Sequence, residues 1–568
     1  MKEKSIPVKN QELTVRIEDF SKNGEGIGHT EGYTLFIKDA VPGDVVRCGI
    51  TKACKNYGYA RVIEVVEPSP DRCDPPCAAA RRCGGCQLMA VSYEAQLAFK
   101  QKQVENALQR IGGFSELPVL SVIGAEHTAR YRNKAQYPVG EVNGHPAAGF
   151  YARRSHDIIE NDDCLLSPLS HRKILQVILR DMERYGISAY DEATGKGVVR
   201  HILIREGFAT GEIHVCFIIN GKKMPHAREI AEELMELRFP EDKVSDPGES
   251  CCPEKIVGVS LNENTGRGNV ILGKTMHHIT GKETAADCIG SVRYEISPLS
   301  FYQVNPEQTK KLYDTVKAFA GLTGKEHVWD LYCGIGTIGL YLADGAKKVT
   351  GIEIVPSAVE DARRNAAENG FRNAEYHVGA AEKIMPQLLR QRGDNAGIKD
   401  VVILDPPRKG CDAALLETLL ALGTEKIVYV SCDPATLARD LRILADGGYA
   451  VRKVQPVDMF PQTVHIETVC LLSKLSEAKH HISVQVDMEE LDVTAAESKA
   501  TYEEIQEWVQ EKYGFHVSHL NIAKTKRKCG IIERQNYNLP KSEDSRSPET
   551  PKEKEEAIVA AFKAFQMI

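Results

Sequence analysis

Residues 327–340 read HVWDLYCGIGTIGL, an apolar run that carries Asp330 and opens into glycines at 334, 336 and 339. A buried parallel strand turns into a helix in this way, leaving backbone that a ligand can approach closely. The pattern recurs downstream in KVTGIEI (348–354), DVVILDPP (400–407) and KIVYVSC (426–432), with helical segments between. Alternation of this kind over 293–475 predicts an α/β, Rossmann-like domain whose parallel sheet binds ligands at the carboxyl ends of its strands.

Working outward, 8–67 is a series of short β-rich runs punctuated by Asn23-Gly24, Gly26-Ile27-Gly28 and Pro42-Gly43-Asp44. This predicts a small OB-like or SH3-like β-barrel. The central region, 68–292, begins with a cysteine-bearing loop and a helix, SYEAQLAFKQKQVENALQRIG, in which Leu97, Val104, Leu108 and Ile111 recur at helical spacing. It continues as mixed α+β, with strands in VVRHILIRE, EIHVCFIIN and IVGVSLN and a helix around HAREIAEELMEL. After the apolar segment 468–475 the composition shifts. Residues 476–568 hold 13 basic and 17 acidic side chains, and are read as a small α/β extension with a basic run at 524–528.

The whole chain has 568 residues, 72 Lys and Arg against 79 Asp and Glu, and a formal charge of −7. That length suggests several domains, and the composition is globular, neither fibrous nor disordered. Mild acidity excludes a generic polycation but not a nucleic-acid partner, because local patches suffice. The opening MKEKSIPVKNQELTV lacks an apolar core, so no secretory signal is expected. No uncharged apolar run reaches the roughly 18 residues of a membrane span. A cytoplasmic protein without membrane association is expected, in which the 16 cysteines serve metals or catalysis rather than disulfides.

Several strand ends carry candidate chemistry. Asp330 and the glycine loop, with Glu353 closing the next strand to meet ribose hydroxyls, suit a nucleoside cofactor. NAD would fit the glycines as well, but Asp330 before the loop and the lack of a second dinucleotide-binding half favour S-adenosylmethionine. In Asp405-Pro-Pro-Arg-Lys-Gly410 the prolines stiffen a loop that presents Asp405. Cys432 follows the next strand in Ser-Cys-Asp-Pro and is a candidate nucleophile, with His465-Ile466-Glu467 later in the chain. Cys77, Cys83, Cys86 and Cys164 include a CxxC clasp, which suits tetrahedral zinc or an iron–sulfur cubane; spacing does not choose between them. Between 129 and 154, Arg130, Arg132, Lys134, Arg153 and Arg154 meet one acid, Glu141, among Tyr131, Tyr137, Phe150 and Tyr151. Cations interleaved with aromatics match single-stranded RNA recognition, although such a stretch is more often a solvated face.

Taken in order over 13–475, the motifs SFYQVN (300–305), DLYCGIG (330–336), DPPRKG (405–410), SCDP (431–434) and HIE (465–467) closely resemble the RNA uracil-5-methyltransferases of the RumA/TrmA type. The resemblance implies an RNA-binding TRAM barrel at the N-terminus, Cys432 as nucleophile and Glu467 as general base. It also implies an S-adenosylmethionine site at Gln303, Tyr332, Glu353 and Asp405. In the iron–sulfur-containing branch the same cysteine spacing holds a [4Fe–4S] cluster, which points to Cys77, Cys83, Cys86 and Cys164 as ligands, zinc being the alternative and Cys73 a competing thiol. That branch mostly acts on 23S ribosomal RNA, so this substrate is expected ahead of tRNA. Ala380-Ala381 departs from many methyltransferases, which place a polar residue near adenine there, and leaves adenine to backbone groups. A noncatalytic RNA-binding protein, an amino-methyltransferase and an NAD-dependent oxidoreductase are the competing classes. An intact Cys432, Glu467 and Asp405 set argues against the first, and Arg408 in place of an aromatic residue against the second. The oligomeric state is not indicated.

Overall fold

The computed structural model describes residues 6–239, 252–392, 400–475, 502–529 and 551–564. The chain forms two compact units, Met1–Ser476 and Glu477–Ile568. In the first unit, β1 (Glu12–Phe20), β2 (Gly26–Thr30), β3 (Tyr33–Lys38), β4 (Val45–Ala53) and β5 (Tyr57–Glu67) close into a barrel ordered β1-β2-β3-β5-β4. Strict alternation drives the closure. Leu35, Ile37, Val46, Cys48, Ile50 and Ala60 point inward, and the residues between them face solvent or neighbouring loops.

Helix α1 (Tyr93–Arg110) follows the cysteine loop, capped by Ser92, whose hydroxyl accepts from the Ala95 amide. The middle sheet is built from β6 (Lys134–Val142), β7 (His145–Tyr151), β8 (Ile158–Glu160), β9 (Val199–Glu206), β10 (Glu212–Ile219), β11 (Lys255–Glu263) and β12 (Thr275–Gly281), ordered β12-β11-β10-β9-β6-β7-β8. Its central strands β9 and β10 are buried along their whole length, and α2 (Leu169–Arg184) and α3 (Ala227–Glu236) contribute to the core on the sheet. A hairpin, β13 (Ala285–Ile289) and β14 (Val292–Ile296), crosses the boundary expected at 292.

The third layer system starts with α4 (Pro306–Ala320) and alternates as predicted: β15 (His327–Leu331), α5 (Thr337–Leu342), β16 (Lys348–Glu353), α6 (Pro356–Glu368), β17 (Ala374–Val378), α7 (Ala381–Arg392), β18 (Asp400–Leu404), α8 (Ala413–Leu422), β19 (Lys426–Ser431) and α9 (Pro434–Asp446). Two further strands, β20 (Tyr449–Val457) and β21 (Glu467–Lys474), complete a sheet ordered β17-β16-β15-β18-β19-β21-β20. The first five strands in that order are parallel; β21 is antiparallel to both neighbours. Strand order reverses between β15 and β18, the place where open α/β sheets leave a crevice.

The central region expected at 68–292 is not one body. Val104, Ala107 and Leu108 of α1 lie in the same apolar cluster as Val402, Leu404 and Leu441, and Val119 and Ile123 pair with Val454 and Val457 of β20. Helical periodicity located α1 but could not say which core receives it. It also missed a charged residue on the buried face. Lys100, fully enclosed, donates to Asp458 Oδ1 (2.5 Å) and to the Phe460 carbonyl (3.0 Å), while Tyr93 donates to Asp458 Oδ2 (2.9 Å). The pair ties α1 to the 458–465 segment.

In the second unit, α10 (Tyr502–Tyr513), α11 (His519–Lys528) and α12 (Lys552–Ala564) share a core of Ile505, Val509, Val517, Ile522, Ile558 and Phe562. The short apolar-alternating run HISVQV (481–486), which predicts a strand, lies outside the described residues. Of the basic run in α11, Lys526 is buried and Lys528 pairs with Glu555 (2.7 Å), so these two are not free cations. Among the described residues, no helix is long and apolar enough to cross a membrane.

Asp458→Ala would strand the Lys100 ammonium in the core. Breaking a buried pair in this way costs about 3–5 kcal/mol, and a drop in Tm on the order of 10 °C is expected by calorimetry.

Candidate active site

At the end of β15 the backbone turns sharply. Tyr332 (φ 66°), Gly334 (φ 54°) and Gly336 (φ 81°) all adopt the left-handed region, which is strained for tyrosine. A side chain at Gly336 would run into the Tyr376 hydroxyl at 2.6 Å. Asp330 is buried beneath this loop; its Oδ2 accepts from the Gly339 amide (2.8 Å), and its Oδ1 has no hydrogen-bond partner. Glu353, at the tip of β16, accepts from the Gly334 amide with one oxygen (3.2 Å) and from the Val355 amide with the other (2.9 Å). The glycine loop is thus tied to the next strand by a carboxylate that keeps unused lone pairs for a ligand.

The middle sheet supplies the opposite wall. Asn133 donates its side-chain amide to the Gln303 carbonyl (3.0 Å) and its backbone N–H to the Val304 carbonyl (2.9 Å). Arg205, fully buried in β9, donates to the Ser300 carbonyl (2.8 Å), and the Ser300 hydroxyl donates to Asp361 (2.7 Å). These contacts clamp the 300–304 segment against the crevice.

Across the switch point lie the loops after β18 and β19. Asp433 caps α9 by accepting from the Ala435 (2.8 Å) and Thr436 (3.2 Å) amides. Thr436 and Arg439 of that helix donate to the Arg408 and Lys409 carbonyls (3.2 and 3.0 Å), holding the Asp405–Gly410 loop in place. Because β21 runs antiparallel to β19 with Ser431 opposite Thr468, Glu467 is set beside Cys432. One cavity of about 640 Å³ is lined by Gln303, Tyr332, Glu353, Asp405, Cys432 and Glu467, so all six of these predicted residues converge. Phe301, Arg408, Phe460 and His465 line it as well. The sequence reading assigned them no role, since neither strand ends nor periodicity marks them, although Phe301, Arg408 and His465 sit inside quoted motifs.

The cavity is rich in acids whose charges are costly. Burial raises Asp405 to about 7, and burial with the nearby Asp405 and Glu353 charges raises Asp330 to about 7. Glu467 is pushed well above the carboxylate range by burial and by Asp405, with Arg408 opposing. The Cys432 thiol is pushed up to about 12 by burial, then by Glu467 and Asp405, again against Arg408. His465 falls to about 4 through burial and the cations Arg408, Lys100 and Arg132, so it is neutral at pH 7. Arg408 is the cation that relieves Glu467, while Asp405 and Asp330 have none; a positively charged ligand is what this set of acids suits.

The four clustered cysteines also come together. Cys83, Cys86 and Cys164 are each within electrostatic reach of one another or of Cys77, and Arg132 faces Cys86 and Cys164. The Gly85 amide donates to Cys83 Sγ (3.3 Å). Burial raises the Cys86 thiol to about 12, a charge cost that a bound cationic metal would reverse. Among the described residues, no three or more His, Cys, Asp or Glu side chains are drawn tightly enough to hold a metal ion as they stand. Cys73 stands apart, its charged neighbours being Arg72 and Asp74.

The basic-aromatic stretch 129–154 does not form the exposed face its composition suggested. Tyr131 and Tyr137 are 2% and 0% exposed, Phe150 packs on Tyr137, and Arg130 is spent on Asp163 and the Cys164 and Ser167 carbonyls. Alternation within β6 and β7 turns Tyr137 and Phe150 toward the core of the middle sheet, while Tyr131, ahead of β6, donates its hydroxyl to the Pro461 carbonyl (3.0 Å).

Comparison with known proteins accords with this arrangement. The TRAM domain family matches residues 8–63, and the tRNA (uracil-5-)-methyltransferase family matches 283–475. An uncharacterized RNA methyltransferase of Halalkalibacterium halodurans is 47% identical over 474 residues, covering 83% of this chain and 99% of its own length. One from Clostridium acetobutylicum is 44% identical over 480 residues, covering 84% and 100%. Among solved structures, the Pyrococcus abyssi tRNA (uracil-54, C5)-methyltransferase in complex with S-adenosyl-L-homocysteine superposes with a TM-score of 0.64 at 27% identity, over 81% of this chain and 99% of that one. With a closed TRAM barrel, a Rossmann-like sheet and relatives matched along nearly their whole length, the chain belongs to the TRAM-bearing RNA methyltransferases of the tRNA (uracil-5-)-methyltransferase family.

Proposed function

We propose that the chain methylates uracil C5 in RNA, most plainly 23S ribosomal RNA, through a covalent bond from Cys432 to C6. The observation that carries this reading is the meeting of Cys432, Glu467 and Asp405 with the glycine crevice in one cavity. Uracil C5 is a weak nucleophile. A thiolate adding at C6 turns the ring into an enolate whose negative character develops at C5. S-adenosylmethionine, when bound, supplies an electrophilic methyl group and a positive charge. Glu353 would accept from its ribose hydroxyls, Gln303 and Tyr332 would wall its site, and Asp405 would face a cationic or polar group. Arg408 favours the thiolate form of Cys432. Once C5 carries the methyl group, Glu467 takes the C5 proton. The C–H electrons restore the C5–C6 double bond as the bond to Cys432 Sγ breaks. The target base must leave any stack to reach Cys432.

The 23S substrate follows from the resemblance of the cysteine set to the cluster-bearing branch. A tRNA substrate is the second reading, favoured by the substrate named for the Pyrococcus abyssi enzyme. The cysteines Cys77, Cys83, Cys86 and Cys164 would hold a [4Fe–4S] cluster that fastens the loop after the barrel to the middle sheet. The resemblance to the cluster-bearing branch carries this reading, with a single zinc ion as the alternative. Such a protein would work in the cytoplasm.

Cys432→Ala should abolish methyl transfer and the denaturation-resistant adduct with 5-fluorouridine RNA; full activity in this variant would refute the scheme. Mapping 5-methyluridine in ribosomal and transfer RNA from cells lacking the protein decides the substrate. Anaerobically purified protein should contain iron and sulfide and lose its brown colour on Cys83→Ser, whereas stoichiometric zinc without iron would exclude the cluster. Asp405 offers a pH signature. Its folded pKa, about 7, lies above the unfolded value, so its contribution to stability is full below about 4 and lost as pH rises through 7. Asp405→Asn should therefore raise Tm at pH 8 by a few degrees, leave it unchanged at pH 4, and suppress methylation.

A further inference from the structure

The β20–β21 hairpin brings Phe460, His465 and Glu467 to the cavity. Val457 of β20 pairs with Glu467 of β21, so 458–466 is the connection between the two strands. Connections of this kind ordinarily run over the surface and leave much of their backbone to water. This one is gripped group by group. Five consecutive carbonyls, from Asp458 to Gln462, accept in turn from the side chains of Gln308 (3.0 Å), Asn305 (3.1 Å), Lys100 (3.0 Å) and Tyr131 (3.0 Å) and from the Leu88 amide (3.0 Å). None of these donors is a neighbour of the loop in sequence, and they belong to α4, α1, the approach to β6 and the cysteine loop.

One residue of the loop is strained. Gln462 has φ 70°, in the left-handed region that glycine enters freely and other side chains resist. Its N–H donates to Gln96 Oε1 (2.9 Å), and its side-chain oxygen faces Gln96 Nε2 (3.0 Å). Gln96 is buried in α1 and cannot follow the loop, because Nε2 shares its two hydrogens with the Leu88 (3.1 Å) and Val91 (2.9 Å) carbonyls as well. Strain of this kind persists where the surroundings over-determine it, and it gathers at sites whose geometry matters. Beyond Gln462, the Val464 amide donates to Gln87 (3.4 Å), and the His465 ring then stands edge-on to Phe460 with centroids 6.1 Å apart. Arg408 acts electrostatically on His465, Glu467 and Cys432 alike. The two rings therefore belong to the pyrimidine half of the cavity rather than to the cofactor half at Gly334 and Glu353.

We propose that Gln96 and Gln462 are positioning residues, a latch that fixes the left-handed turn of the hairpin and so sets the Phe460–His465 wall and Glu467 against the pyrimidine held at Cys432. The proposal rests on the methylation reading above. Misplacing a reacting partner by about 1 Å costs on the order of a hundredfold in rate, which gives a rigid, strained mount its purpose. A tie that only fastened α1 to the methyltransferase sheet would need no particular φ at 462, and the Lys100–Asp458 pair already supplies one.

The test uses full-length enzyme and follows methyl transfer from tritiated S-adenosylmethionine to ribosomal and transfer RNA taken from cells lacking the protein. Gln462→Val, whose branched side chain resists positive φ, should lower kcat by on the order of a hundredfold. Gln462→Gly adopts that φ freely and should keep most of the turnover. Gln96→Leu should be impaired like Gln462→Val, and adding Gln462→Gly to it should recover most of the loss. Glycine restores the turn but replaces none of the Gln96 hydrogen bonds, so a merely structural role for Gln96 predicts no such rescue. S-adenosylhomocysteine affinity, measured by calorimetry, should match wild type throughout and place the defect on the RNA side. Wild-type turnover in Gln462→Val, a Gln96→Leu defect that Gln462→Gly leaves in place, or loss of S-adenosylhomocysteine binding in Gln96→Leu would each overturn the latch. Should Gln462→Val itself fail to bind S-adenosylhomocysteine, Gln96→Leu with and without Gln462→Gly decides. Failure of the methylation reading looks different: the wild-type enzyme would transfer no methyl group, or Cys432→Ala would keep full activity, whatever the latch variants do.

Discussion

The antiparallel pairing of β21 with β19 is the constraint on which the active site depends. Cys432 closes β19, and Glu467 opens a strand that returns along it only after α9, β20 and a loop. Were β21 parallel, as its five predecessors in the sheet are, its first residue would lie at the far edge. Backbone hydrogen bonds thus bring a thiol and a carboxyl together that no local sequence connects. The buried Lys100–Asp458 pair supports the same geometry from behind by holding the 458–465 segment that leads into β21.

That framework leaves an electrostatic debt inside the cavity. Asp330, Asp405 and Glu467 are buried near one another, and with Arg408 as the cation among them their protons are held tightly. Buried acids of this kind cost stability. Their arrangement makes sense as preorganisation for a positively charged cofactor, whose charge would favour the ionised forms of the carboxylates. The neutral His465 fits the same environment, lying at the wall rather than competing as a cation.

Much of this was legible before any coordinates. Asp330, Glu353, Asp405 and Cys432 announce themselves because strand ends in a parallel sheet carry short, idiosyncratic loops, and the glycines beside them have backbone reasons to be glycine. The misreadings have a common cause as well. Residues 129–154 looked like an RNA face because composition does not reveal which way a ring points, and the pleat of β6 and β7 sends Tyr137 and Phe150 inward. In α1 the helical period was plain, yet nothing local distinguished the core of the middle sheet from that of the methyltransferase sheet, or showed that Lys100 would find Asp458.

The sequence by itself determined the class of chemistry, the order of the layers and the candidate side chains of the site, because those depend on short-range patterns: period-2 and period-3.6 burial, turn residues and motif spacing. Only the tertiary structure decided which of those side chains share a cavity, which acids lack a counter-charge, and which aromatic rings remain at the surface. These depend on contacts between residues hundreds of positions apart, such as Tyr93 with Asp458 and Gly24 with Val464, and on pleats whose facing is set by the partner strand.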